Sequence, residues 1–216
     1  LHDALPICFT VPDSTATITI KAIAADNVVN YYYTRNQYTL TWEFGIGSAS
    51  GQTYTEGEVY YGATITPPVP SYIGYSFSWD ETPATTMPAE DLSYTANWTI
   101  NEYTVTYDYS TNGGTNASKT TDSKAYKEEI DLTPTAEKDG YTFIGWNTNK
   151  DATEAISSLT METSDITLYA IFSKEITVEY KANGGLEDIT QNYTVYNNQT
   201  ELSIKVPSTP TTYSEW

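Results

Sequence analysis

A nucleophilic site of the Ser-His-Asp or Cys-His type needs an imidazole to take the proton. The chain has a single histidine, His2, and a single cysteine, Cys8. One cysteine also rules out a disulfide framework within the chain, and no Cys/His cluster offers zinc its usual ligands. Acids are abundant, 28 against 10 basic residues, so a glycosidase-like carboxylate pair has raw material. Raising the pKa of one member needs a closed cleft, however, and solvated surface acids are the favoured reading. Asn147-Thr148-Asn149-Lys150-Asp151 has a faint look of a calcium loop. It lacks alternating acids and a final glutamate, and Lys150 sits in its middle, so a plain polar loop is preferred. Gly45-Ile46-Gly47 runs into Ser48-Ala49-Ser50-Gly51 with no helix to follow, which excludes a dinucleotide fingerprint. No catalytic, metal or cofactor site is expected.

The tyrosines, 20 of them, are the other side chains with something to offer. Tyr31-Tyr32-Tyr33, Tyr60-Tyr61 and Tyr193 with Tyr196 place rings on both faces of a strand. Solvent-facing rings can stack on sugars or bind protein. Cross-strand pairing that stiffens a thin sheet is the alternative, and we favour it. Asn97, Asn116, Asn192 and Asn198 head glycosylation-type triplets, read as chance matches in an Asn/Thr-rich chain.

The net charge of -18 would repel a phosphate backbone, so nucleic acid is a poor partner. Solubility explains that charge better than a dedicated basic partner does. No apolar run reaches the length of a membrane-spanning helix. Leu1-His2-Asp3-Ala4-Leu5-Pro6-Ile7 matches, residue for residue, the translation of a common sequencing adapter, CTACACGACGCTCTTCCGATCT. On that reading residues 1–8 are foreign and the biological sequence begins near Phe9. A genuine N-terminal tail is the alternative.

The elements that would position any site come in copies. Gly74-Tyr75-Ser76-Phe77-Ser78-Trp79 returns as Gly140-Tyr141-Thr142-Phe143-Ile144-Gly145-Trp146, with one glycine inserted. Thr86-Met87-Pro88-Ala89-Glu90-Asp91-Leu92 returns as Thr160-Met161-Glu162-Thr163-Ser164-Asp165-Ile166. The extra residues fall in 147–158, which is therefore a loop. Tyr38-Thr39-Leu40-Thr41-Trp42, Tyr103-Thr104-Val105-Thr106-Tyr107 and Ile176-Thr177-Val178-Glu179-Tyr180 open successive copies. Asn112-Gly113-Gly114 follows the second opening and Asn183-Gly184-Gly185 the third. The expected division is a partial tail at 9–37, where Thr10-Val11-Pro12-Asp13 resembles the methionine motif, then repeats at 38–102 and 103–175. A third, truncated repeat at 176–216 stops at Tyr213-Ser214-Glu215-Trp216.

Strict alternation makes the openings half-buried strands, with Tyr38, Leu40, Trp42 and Phe44 on one face and Tyr103, Val105, Tyr107 and Tyr109 in the next copy. Leu92, Tyr94, Ala96 and Trp98 alternate in the same way. Asn-Gly supplies the positive φ of tight turns. A second strand is expected at 58–65 and 125–132, broken by Pro67 or Pro134. A third is expected at 75–79 and 141–146. A short helix fits best at 135–138. The fold class is mainly β with a minor helical part.

The motifs at Tyr107 to Gly114, Gly140 to Trp146 and Thr160 to Ala170 together resemble the internalin B-repeat, or Listeria–Bacteroides repeat, family. The resemblance covers nearly the whole chain from Phe9 and is strongest at 103–173. The copy at 38–98 lacks the glycine before Trp79 and has Gly45-Ile46-Gly47 for Asn-Gly-Gly. The resemblance implies tandem small β-grasp-like domains in bacterial surface or secreted proteins, outside the cell. It implies a stalk or spacer that presents other domains, and it carries over no catalytic residue. The alternatives are an adhesive module that binds host or neighbouring-cell protein or glycan through exposed tyrosines, and an accessory domain of a longer polysaccharide-degrading enzyme. A monomer is expected, with no membrane insertion by this segment.

Overall fold

The computed structural model describes residues 8–10, 33–49, 52, 54–181 and 188–205. His2, Val11-Pro12-Asp13, Tyr31-Tyr32, Ser50-Gly51, Asn183-Gly184-Gly185 and Tyr213-Ser214-Glu215-Trp216 lie outside the described residues. The chain divides into two compact units, 1–100 and 101–216.

In the first unit, β1 (Phe9–Thr10) pairs antiparallel with β2 (Thr34–Arg35). The main sheet is built around β3 (Gln37–Glu43), where alternating Leu40 and Trp42 are buried and Thr39 and Thr41 are not. β4 (Tyr54–Tyr60) lies antiparallel on one side of β3, and β6 (Leu92–Ile100) lies parallel on the other. β5 (Tyr75–Trp79) closes the order β4-β3-β6-β5 by pairing antiparallel with β6. Leu40, Trp42, Phe44, Ile65, Met87 and Tyr94 form the core. Trp42 stacks on Tyr94 with centroids 4.8 Å apart and leans on Trp79 at the same separation.

The second unit uses the same plan. β7 (Glu102–Asp108) pairs antiparallel with β9 (Thr121–Ala125) and parallel with β12 (Ile166–Tyr180). β11 (Thr142–Asn147) pairs antiparallel with β12, giving the order β11-β12-β7-β9. β8 (Asn116–Ala117) and β10 (Ala136–Glu137) form a small ladder of their own. β13 (Ile189–Tyr196) pairs antiparallel with the C-terminal half of β12. Val105, Tyr107, Ile130, Ala136, Trp146, Met161, Leu168, Ala170 and Phe172 are the core.

The recurring motifs have matching jobs. Asp91 accepts the Thr39 amide at 2.7 Å and Asp165 accepts the Thr104 amide at 2.7 Å. Each carboxylate satisfies a backbone donor near the start of the parallel pair. Met87 and Met161 are fully buried plugs whose backbones bridge to the turns after β4 and β9. The inserted Gly145 makes a β-bulge opposite Ile171, at φ 143°. A Cβ there would come within 2.6 Å of the Ala155 Cβ.

The mainly β class holds, but two expected elements are corrected. The second strands run at 54–60 and 121–125 and so end before most of the expected 58–65 and 125–132. Turns at Gly62 (φ 74°) and Lys127 (φ 67°) follow them. The apolar residues that attracted the assignment, Ile65 and Ile130, lie past those turns and are buried in extended crossover segments. No helix forms at 135–138; Ala136–Glu137 is the two-residue strand β10. Thr133 precedes a proline and so avoids the helical region. Nearby carbonyls are already claimed: Tyr107 Oη donates to Asp131 O at 2.5 Å and Trp146 Nε1 to Pro134 O at 2.7 Å. A helix would have needed those acceptors for its own ladder.

Burial, and then the nearby Asp122 and Asp131 carboxylates, push the Tyr107 phenol up to about 12. An unfolded tyrosine ionises near 10, at roughly its reference value. The folded form keeps its proton longer, so this contribution is complete below about pH 10 and is lost as pH rises towards 12. Tyr107→Phe is expected to cost about 1 kcal/mol at neutral pH from the lost hydrogen bond. It should also flatten the alkaline arm of the stability profile. Tyr180, bonded to Tyr193, is likewise pushed to about 12, so the variant rather than the bare profile carries the test. Urea melts at pH 8, 10 and 11 in which variant and parent lose stability equally would refute the assignment.

Candidate functional site

The chemistry-bearing residues of the sequence are dispersed. Cys8 is half-buried with a free thiol beside Tyr61, whose phenol it holds above the usual range. Among the described residues no group of His, Cys, Asp and Glu is arranged to hold a metal ion. The carboxyls shifted from their ordinary values move down. Burial opposes this at Asp108, but Thr111 and Ser110 overcome it by donating to the carboxylate. Thr133 lowers Asp131, Lys119 lowers Asp122 and Lys124 lowers Glu128. A general acid needs the opposite shift.

In the loop at 147–151 the side-chain oxygens turn onto their own backbone. Asn147 Oδ1 accepts the Asn149 amide at 2.9 Å and Asn149 Oδ1 accepts the Asp151 amide at 3.0 Å. Lys150 pairs with its neighbour Asp151. Gly45-Ile46-Gly47 is a turn against the Trp98 indole, which donates to Phe44 O at 2.8 Å. Of the tyrosines, Tyr33 and Tyr60 are exposed, and Tyr60 lies under the Arg35 guanidinium at 5.7 Å. Tyr193 is half-buried and meets Tyr180 hydroxyl to hydroxyl at 2.7 Å, a same-face contact across the β12–β13 ladder.

What the structure does bring together is a polar node at the Asn-Gly-Gly turn. Gly113 takes φ 75°, and a Cβ on Gly114 would sit 2.7 Å from Tyr109 O. The turn therefore needs its glycines, and it directs Asn112 inward. Asn112 and Asn197 are the buried polar residues among those described. Asn112 Nδ2 donates to Lys150 O and Ala170 O, each at 2.9 Å. Asn197, at φ 51°, donates from Nδ2 to Ala152 O at 2.9 Å and Lys150 O at 3.3 Å. Its Oδ1 accepts the Phe172 amide at 3.0 Å, and its own amide donates to Phe172 O at 2.9 Å.

Lys138 closes the node from outside. Its ammonium donates to Asn112 O at 3.0 Å, to Asn197 O, and to Asn198 Oδ1 at 3.1 Å. It also stands 4.0 Å from the Tyr141 ring centroid. Burial pushes it below the usual lysine range, while carbonyl dipoles and a ring face supply what water would have given. Asn198 Nδ2 reaches Thr111 O at 2.8 Å. An open cleft of about 490 Å³ lies alongside, lined by Thr111, Asp151, Thr153, Tyr196 and Gln199 as well as the node itself. This arrangement fixes strands and loops; it holds no nucleophile with a base beside it. The sequence singled out Asn112-Gly113-Gly114 as a turn only. It offered no signal for Lys138 or Asn197, because their partners are backbone carbonyls distant in sequence.

Comparison with known proteins covers the same region. A protein from Evansella cellulosilytica, named provisionally as a membrane protein, is 31% identical over 168 residues, which is 69% of this chain and 24% of that protein. A second from that organism, named provisionally as a Gly-rich membrane protein, is 34% identical over 164 residues, 69% of this chain and 18% of its own length. Internalin H of Listeria monocytogenes is 34% identical over 121 residues, 50% of this chain and 21% of its own. The chain thus spans a quarter or less of the curated relatives it matches. The family model of the Listeria-Bacteroides repeat domain matches residues 103–171, the segment that runs from the opening of β7 into β12. This chain therefore carries a repeat of the Listeria–Bacteroides family.

Proposed function

We propose that the chain is a run of tandem repeats, opening at residues 38, 103 and 176, in a bacterial cell-surface or secreted protein. It acts there as a stalk that presents other domains. The carrying observation is the repetition of one sheet plan, each copy with its own aromatic core, 38–94 in one and 103–172 in the other. A core that closes within about 65–75 residues can be concatenated without limit, as repeat architectures are. Each copy has the strand order 2-1-4-3 about a parallel central pair. We read this as a β-grasp-like sheet whose helix is replaced by an extended crossover. Internalin H, by its name, is consistent with the surface assignment.

Small-angle scattering on the chain tests the stalk. A monomeric, elongated particle is expected, and a compact globule would count decisively against a spacer. A second reading, adhesion through tyrosines, is favoured by the exposure of Tyr54 (47%), Tyr60 (46%) and Tyr72 (44%). A glycan array or pull-down separates the two, because a pure spacer gives no saturable binding.

A further inference from the structure

Ser173 of β12 is paired on both sides, with Thr142 of β11 and with Tyr196 of β13. Two partners opposite one residue must lie on opposite edges. β13 therefore occupies the edge of β12 that β7 holds at Ile166–Tyr169. β7 leaves that edge at Asp108, and its chain turns away through Asn112. β13 takes up the same edge from Ser173 onward. Between the two, the Ala170 carbonyl and both polar groups of Phe172 would face an unpaired gap. The Asn112 side chain fills the first, and Asn197 fills the second.

Residues 112, 138 and 170–172 belong to the second copy, while β13 and Asn197-Asn198 follow the opening of the third. We propose that the Asn112 turn and Lys138 form a docking site for the first hairpin of the following repeat, joining two successive repeats into one cooperatively folding body. The first copy supplies the contrast. It has Gly45-Ile46-Gly47 where the second has Asn-Gly-Gly, and Tyr72 at the position of Lys138, 66 residues earlier (138 − 66 = 72). There β6 ends at Ile100, whereas β12 runs unbroken from 166 to 180. The occupant is thus a second repeat of this chain, recognised by its backbone carbonyl at 197 and its Asn198 amide. The joint is a property of the array whether that array spaces or adheres.

Native-state amide hydrogen exchange on the full chain tests it, and it reads the joint independently of scattering. In the parent, β13 amides should be protected to within about tenfold of those in β11, as members of one cooperative unit are. Lys138→Met and Asn198→Ala should each speed exchange in β13 and β11 together by about tenfold or more, with the first unit unchanged. Unprotected β13 amides in the parent would overturn the proposal. So would variants that leave β13 unchanged, or an Asn198→Ala protein that speeds β13 alone and leaves β11 untouched, since the hairpin would then open as a separate unit. Asn112→Ala probes the buried side of the same node and is judged by the same pattern.

Discussion

Replacing Trp146 by alanine is expected to remove about 3–5 kcal/mol from the second unit, the range for a buried tryptophan truncated in a core. Trp146 is 1% exposed and packs edge-on against Tyr107 at 5.1 Å and Phe143 at 5.4 Å. Its indole also donates to Pro134 O within the core. Truncation therefore opens a cavity and strands an acceptor on the crossover that the indole pins in its extended form. Folded domains hold only about 5–15 kcal/mol in total, so the loss is a large share of what the unit has. For a domain of this size it corresponds to a fall in Tm of about 15–30 °C. The first unit has its own core, centred on Trp42 and Tyr94, and its transition should stay where it was. Scanning calorimetry of the full chain reads both. A Trp146→Ala protein whose two transitions move together, or not at all, would show that the cores are not separate or that Trp146 does not hold one of them.

The second large effect concerns Gly47. A Cβ there would lie 1.9 Å from Trp98 Cζ2 and 2.4 Å from Cη2. The obstacle is the rigid ring of a half-buried indole. Its other end is tied to Phe44 O at 2.8 Å, and Phe77 packs on it at 5.6 Å. Gly47→Ala should drive the ring off its site and cost about 2–3 kcal/mol, as overpacking does. If the ring is the whole obstacle, shrinking it restores the space. Trp98→Leu should carry its own penalty, and adding Gly47→Ala on that background should cost less than about 0.5 kcal/mol more. A double-mutant cycle by urea denaturation measures this coupling. Additive penalties would mean that Gly47 is needed for its backbone rather than for the indole. The same relation recurs in the second unit, where a Cβ on Gly114 would approach Phe172 Cζ to 3.1 Å. There backbone carbonyls crowd the site as well, so shrinking Phe172 should rescue less.

These two residues also mark where reading the sequence succeeds and where it stops. Tyr141-Thr142-Phe143 and Trp146 stand out as aromatic anchors of a strand, and β11 lies there. The alternation through Tyr38–Phe44, Tyr103–Tyr109 and Leu92–Trp98 locates β3, β7 and β6, because each strand buries one face and a period of two follows directly. β4 and β9 lie earlier than alternation suggests, at 54–60 and 121–125, for the converse reason. Tyr54–Tyr60 carries three glutamate or glycine residues at its centre, and Thr121–Ala125 has only Ala125 as an apolar member. The apolar residues that look like these strands, Ile65 and Ile130, serve the core from beyond the turn.

By itself the sequence determined the repetition, the mainly β class and the aromatic cores, since each rests on local alternation and on motifs that recur within the chain. Only the tertiary structure decided what fills the edge of β12 between β7 and β13. Asn112, Lys138 and Asn197 meet there through backbone carbonyls that every residue possesses. A partner that is main chain leaves no mark in residue type, and contacts spanning tens of residues leave none in local pattern.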